Sequence, residues 1–173
     1  MTFRAPARLR TRRLLTAAVA VVATLVAVVG STAPAGAETR VVGSSTADRA
    51  ILSYQSAIFS ASNTVRRLHA RPTFRHQACV QRYAARQAGR MARQQRMFHQ
   101  DLRPVLRNCH LSKAGENVAY GFLTGLAVVV DGWMKSPEHR RNLLDADFRL
   151  LGSGARLGAD GLWYAVQVFG RHR

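Results

Sequence analysis

The sequence predicts an α+β fold. Three observations predict it. Apolar residues recur at helical spacing from Ile51 onward, the pattern changes to strand-like alternation from Phe148, and a Gly-Ala-Asp-Gly turn at 158–161 joins the last two strands. Helices first and an antiparallel hairpin last are the order of a domain whose helices pack on a small antiparallel sheet. The chain has 173 residues, which suits one core with room for a targeting segment. Its 47% hydrophobic content excludes a disordered chain.

Residues 1–37 read as a secretory signal. Five arginines (Arg4, Arg8, Arg10, Arg12 and Arg13) precede the uncharged run LLTAAVAVVATLVAVV, and Ala35 and Ala37 stand in A-x-A spacing. Cleavage is expected after Ala37. An uncleaved membrane anchor is the alternative, although sixteen residues fall short of the ~20 that a spanning helix needs. Residues 38–46 form a flexible leader, and residues 47–173 the folded domain. No transmembrane segment is expected once the signal is removed, and a monomer is the expected state.

Thr46 is a candidate helix cap. Ile51, Tyr54, Ile58, Ala61, Val65 and Leu68 then form one apolar stripe, ended by Pro72. A second helix is expected over about 76–98, with Val80, Ala84, Ala88 and Met91 inward. Arg82, Arg86, Arg90 and Arg93 repeat the same spacing two residues out of phase. Two residues turn a helix by ~200°, so these arginines form a basic outer face. Residues 99–123, broken by Pro104, Gly115 and Gly121, read mostly as loop. Residues 124–134 read as a third helix with Leu126, Val129, Val130 and Trp133 inward. Ser136 at the cap, Pro137 at the first turn and Glu138 behind it start a short helix running to about Leu144. Gly152 and Gly154 mark a bend or a close backbone approach in the first strand of the hairpin. The last strand, 162–169, is apolar on both faces, as a strand covered on both sides must be.

The two cysteines of the exported portion, Cys79 and Cys109, are an expected disulfide. With no third Cys and no C-x-x-C spacing they are not a metal pair.

Three segments carry a resemblance. They are Gly115-Glu116-Asn117-Val118-Ala119-Tyr120-Gly121, the run from Trp133 through Ser136-Pro137-Glu138-His139-Arg140 to Leu144, and Gly152-Ser153-Gly154 followed by Trp163 to Gly170. In this order, over roughly residues 50–170, they closely resemble the bacterial branch of the CAP superfamily (cysteine-rich secretory proteins, antigen 5 and plant pathogenesis-related 1 proteins), the SCP-like extracellular proteins. The resemblance implies a three-layer α-β-α sandwich and a cleft lined by histidines and acids. Position by position, it implies that His99, Glu116 and His139 are the cleft residues. The chain departs from the family at three places. Gln100 follows His99 where the family has Ser, Ser136 stands where the eukaryotic branch has a second Glu, and Glu138 replaces the Gly that precedes this His.

His99, Glu116 and His139 allow three kinds of chemistry. Two imidazoles and a carboxylate suit Zn²⁺ with an open fourth position. A Glu and a His suit base and acid roles. Alternatively, the three form a hydrogen-bonded cluster in which Glu116 holds one imidazole tautomer. Asn117, Ser136 and Gln167 complete the candidate cleft. Asn117 and Asn142 are expected to satisfy backbone groups in turns, and Trp133 and Trp163 to be core. No HExxH pattern exists.

The function this predicts is a secreted binding module for a lipid or cell-surface ligand. A metal-dependent hydrolase using the same cleft is one alternative. The other is attachment to anionic wall polymers or lipid. The net charge of +17 falls to +12 when the signal is removed, and residues 64–108 hold eleven arginines against Asp101 alone. Aromatics are not interleaved along Arg82–Arg93, so sequence-specific nucleic-acid recognition is not expected.

Overall fold

The computed structural model describes residues 45–173. The signal segment, its cleavage position and most of the leader lie outside the described residues. Among the described residues no helix is long and apolar enough to cross a membrane.

Helix α1 spans Thr46–Leu68. Its cap is Ser45, not Thr46: Ser45 Oγ accepts from Asp48 N while the Asp48 carboxylate accepts from Ser45 N, a reciprocal capping box. Tyr54, Ile58, Ala61 and Val65 of the stripe are buried, whereas Leu68, in the last turn, is exposed. Strand β1 (Arg75–His76) leads into α2 (Ala78–Gln94). Val80, Ala84, Ala88 and Met91 of α2 are fully buried, and Arg82, Arg86, Arg90 and Arg93 are all exposed.

The segment 99–123 is not mostly loop. It holds helix α3 (Arg103–Asn108) and the ten-residue strand β2 (Leu111–Tyr120). Glycine and polar residues hide β2 in the sequence, and its order comes from nonlocal pairing with the last strand. Residues 124–134 are helical but change pitch. Helix α4 (Gly125–Ala127) runs into a π turn (Val128–Gly132) and a 3₁₀ turn (Trp133–Lys135). The wide π turn shifts the helical phase, so Val128, Val129 and Trp133 face inward while Leu126 and Val130 are exposed, contrary to the regular helical reading. Helix α5 follows (Pro137–Leu144), then β3 (Leu150–Leu157) and β4 (Trp163–His172).

The sheet order is β1-β3-β4-β2. Its main pairings are antiparallel; the two-residue β1 adds a parallel edge on β3. Along β4, Tyr164, Val166 and Val168 pack on one face with α2 and α3, while Ala165 and Phe169 pack on the other with α1, the π turn and α5. The result is a three-layer α-β-α sandwich with one apolar cluster on each side of the sheet. A Cβ at Gly152 would overlap the backbone of Val80 and Gln81, and one at Gly154 would overlap the carbonyl of Ala84, so these glycines let α2 lie directly on β3. Cys79 and Cys109 form a disulfide that ties the start of α2 to the end of α3.

Candidate functional site

The site begins at the free edge of the sheet, on β2. Glu116 and Val118 face the α2 side of this strand, and Asn117 and Ala119 face the α5 side. The candidate residues therefore reach the edge from both faces.

On the α2 side, Gln87 is fully buried and its Nε2 donates to Phe98 O at 2.5 Å, fixing the chain that follows α2. That anchor delivers His99 and Gln100 to Glu116. His99 Nδ1 lies 2.8 Å from Glu116 Oε1, Gln100 N donates to the same oxygen at 3.1 Å, and Gln100 Nε2 donates to Oε2 at 2.5 Å. The Glu116 side chain is 2% exposed and that of His99 61%. A buried carboxylate thus spends both oxygens on a histidine and a glutamine, and the imidazole it orients presents Nε2 to solvent.

On the α5 side, Ser136 occupies the cap position of the helix without a hydrogen bond from its side chain to the helix backbone. Its hydroxyl instead lies 2.8 Å from His139 Nδ1. His139 is half-buried. Burial is the main cause that holds its pKa below the usual 6.5, the nearby charge of His99 adds to this, and Glu138 partly offsets it. Both histidines therefore engage Nδ1 and leave Nε2 without a hydrogen-bond partner among the described residues.

Beneath the two histidines runs a buried amide network. Asn142 Nδ2 donates to Asn117 Oδ1 at 3.0 Å and to Glu116 O at 3.2 Å. Asn117 Nδ2 donates to Gln167 Oε1 at 3.0 Å and to His139 O at 3.1 Å. Gln167 Nε2 donates to Ser62 Oγ at 2.7 Å, and that hydroxyl donates to Ile58 O. Asn117 and Gln167 are fully buried, so they hold α5, β2, β4 and α1 together under the site and do not line a cleft. Asn117 and Asn142 act from a strand and a helix, not from turns. Trp133 is core, and Trp163 is half-buried and stacked on Tyr54 with ring centroids 4.7 Å apart.

The sequence reading passed over Gln87 and Ser62. Gln87 stands three residues after Ala84 and four before Met91, which already places it on the buried face of α2. Ser62 has no comparable signal, because its role depends on Gln167, 105 residues away.

The fit to a zinc ion follows from the same distances. Among the described residues no group of three His, Cys, Asp or Glu side chains is placed to hold a metal ion. Glu116 would have to release the Gln100 amide before it could ligate, so His99, His139 and Glu116 do not form a three-ligand set as they stand.

Comparison with known proteins places these residues in a wider setting. The family model of the Cysteine-rich secretory protein family (CAP) matches residues 59–169. An outer surface protein of Borrelia burgdorferi has a similar fold, with a TM-score of 0.60 at 19% identity over 68% of this chain and 92% of its own. An extracellular protein containing an SCP domain from Bacillus anthracis has a TM-score of 0.58 at 26% identity, over 70% of this chain and 41% of its own. An uncharacterized membrane protein, YlbC, of Bacillus subtilis is 48% identical over 42 residues, which span 24% of this chain and 12% of that relative.

Proposed function

Because the chain belongs to the cysteine-rich secretory protein (CAP) family, we propose that it is a secreted binding module whose His99–Glu116–His139 edge takes a cell-surface ligand. The observation that carries this reading is the state of Glu116. Its carboxylate is buried and accepts from His99 and Gln100, so it serves to orient an imidazole and is not available as a base toward a solvent-borne substrate. What the edge offers is a pair of imidazoles whose Nε2 atoms have no partner among the described residues, held on an amide scaffold that pre-organises them for recognition. Export is supported by the signal-like residues 1–37 and by the extracellular setting of the Bacillus anthracis relative.

The test uses the purified protein against fractionated cell-envelope lipids and wall fragments by calorimetry, with a peptide library assayed in parallel. Saturable binding that His99→Ala and His139→Ala each weaken by about tenfold, without peptide turnover, is the expected result. Peptide hydrolysis that disappears in His99→Ala and Glu116→Gln would replace the binding reading with the hydrolase.

A further inference from the structure

Three of the four exposed arginines of α2 line a groove. Arg86, Arg90 and Arg93 wall one side of a groove of about 530 Å³, and Arg156, from the end of β3, closes the other side. A second hollow of about 460 Å³ has Gly89, Arg93 and Arg156 in common with the first, so the two adjoin along a track. We infer that this track is a binding site for a single-chain phosphodiester polymer, gripped through its phosphates by Arg86, Arg90, Arg93 and Arg156. It goes beyond the imidazole edge: the four arginines take no part in that edge, and Gln100, which donates to Glu116, also lines the groove.

Four features carry the inference. First, all four arginines are exposed, and none has a carboxylate within ion-pair distance among the described residues. Asp101, the acid on the rim, is already paired with Arg103 at 2.8 Å. A cluster of unpaired guanidinium groups around a hollow repels itself and is relieved by an anion that accepts their paired N–H groups.

Second, Gly89 gives the floor no side chain of its own: a Cβ there would meet only Arg93 Nη1, at 3.4 Å, so the Arg93 guanidinium lies directly over the helix backbone. Third, the three α2 arginines advance by about 6 and then 4.5 Å along the helix axis, a rise on the scale of successive phosphates in a single chain. A concave track admits such a chain, whereas a flat bilayer reaches only its rim. Fourth, Tyr83, the aromatic residue lining the groove, has one ring face covered by the Arg86 guanidinium at 4.8 Å, which takes that face from a stacking base. Recognition is therefore of the backbone, and a polymer without bases fits as well as one with them.

Fluorescence anisotropy on the full chain tests this with two labelled probes, poly(glycerol phosphate) and a thymidine oligomer. Four neutralised phosphates give a log–log salt slope near −3, so binding weakens about fifty-fold between about 50 and 200 mM salt. Both probes are expected to bind and to compete with each other. Arg156→Gln lowers the slope by about 0.7 and weakens binding at least several-fold. Arg82→Gln removes the same charge from α2 at a position outside the groove, and leaves binding within about twofold. Gly89→Leu keeps every charge, fills the floor and weakens both probes.

Equal losses from Arg82→Gln and Arg156→Gln would overturn the site in favour of diffuse charge. So would a silent Gly89→Leu in folded protein, or binding confined to phosphatidylglycerol vesicles. If only one of the two probes binds, the backbone reading fails; if neither binds at low salt, the site itself is refuted. Loss of this binding leaves the His99–His139 assays unaffected, which keeps the two readings separable.

Discussion

Asn117 on β2 donates to Gln167 Oε1 on β4 at 3.0 Å, with both side chains fully buried. This bond is the middle of a chain of amides that starts at Asn142 on α5 and ends at Ser62 on α1. His139 rides on that chain, because Asn117 also donates to its carbonyl. The backbone under His139 is therefore held by three buried polar side chains, Asn117, Gln167 and Ser62, together with the half-buried Asn142.

Breaking the chain should loosen the site before it unfolds the domain. Asn117→Ala leaves Gln167 Oε1 without its donor in the interior and removes the tie to His139 O, at a cost of about 1–3 kcal/mol for the orphaned amide oxygen. Urea denaturation should show a lower midpoint with an unchanged m-value. A midpoint equal to that of the parent would show that the amides contribute nothing.

Arg66 is the second buried polar anchor. It is fully buried, stacks on Phe74 at 4.0 Å, and donates to the carbonyls of Pro72, Leu143, Asp145 and Phe148. Burial pulls its pKa down to about 10, aided by Arg149 and Arg71. Arg66→Met takes the Arg66 donor from four carbonyls, of which Phe148 O alone keeps another among the described residues, in Arg149 Nη1, and should cost about 3 kcal/mol or more. Arg66→Lys should not restore stability, because an ammonium cannot span the same fork. Thermal melts of the two variants decide this; a lysine variant as stable as the parent would contradict it.

The Cys79–Cys109 bridge closes a loop with a sequence separation of 30. Reduction, or Cys79→Ser with Cys109→Ser, should remove about 3.5 kcal/mol by the chain-entropy relation. For a domain of this size that is a fall in Tm of roughly 10–15 °C. Calorimetry with and without reductant measures it.

His139 makes stability depend on pH in a definite direction. Its folded-state pKa lies below 6.5, so the unfolded chain takes up the proton first as pH falls. The contribution of the neutral ring is complete above pH 6.5 and is lost progressively as pH drops from 6.5 toward the folded value. His139→Gln should flatten the stability curve in that window. An NMR titration should place the His139 midpoint below 6.5; a midpoint at or above that value would reverse the sign.

Much of this was legible in the chain itself. The stripe of α1 and the buried residues of α2 follow from local periodicity, and the final hairpin follows from alternation around Gly158–Gly161. Gly152 and Gly154 announced a close approach, which proved to be the α2 backbone. The pair His99 and Glu116 was readable from the family-like segments. Strand β2 was not, because its residues show no strand signature and gain one only beside β4. Of the residues expected inward over 124–134, Val129 and Trp133 are buried while Leu126 and Val130 are exposed, because a regular helical count does not contain the π turn.

The sequence by itself determined the local periods, the cysteine pair and the residue types that meet at the sheet edge. These depend on neighbours within a few positions or on residue chemistry alone. Only the tertiary structure decided that Gln100 fills Glu116, that Asn117 and Gln167 lie under the site, and that Arg156 joins the arginines of α2. Each of those facts is a contact between elements distant along the chain, set by which strand pairs with which and which helix covers which face. No local pattern encodes that choice, because it is made by burying two apolar clusters against one sheet.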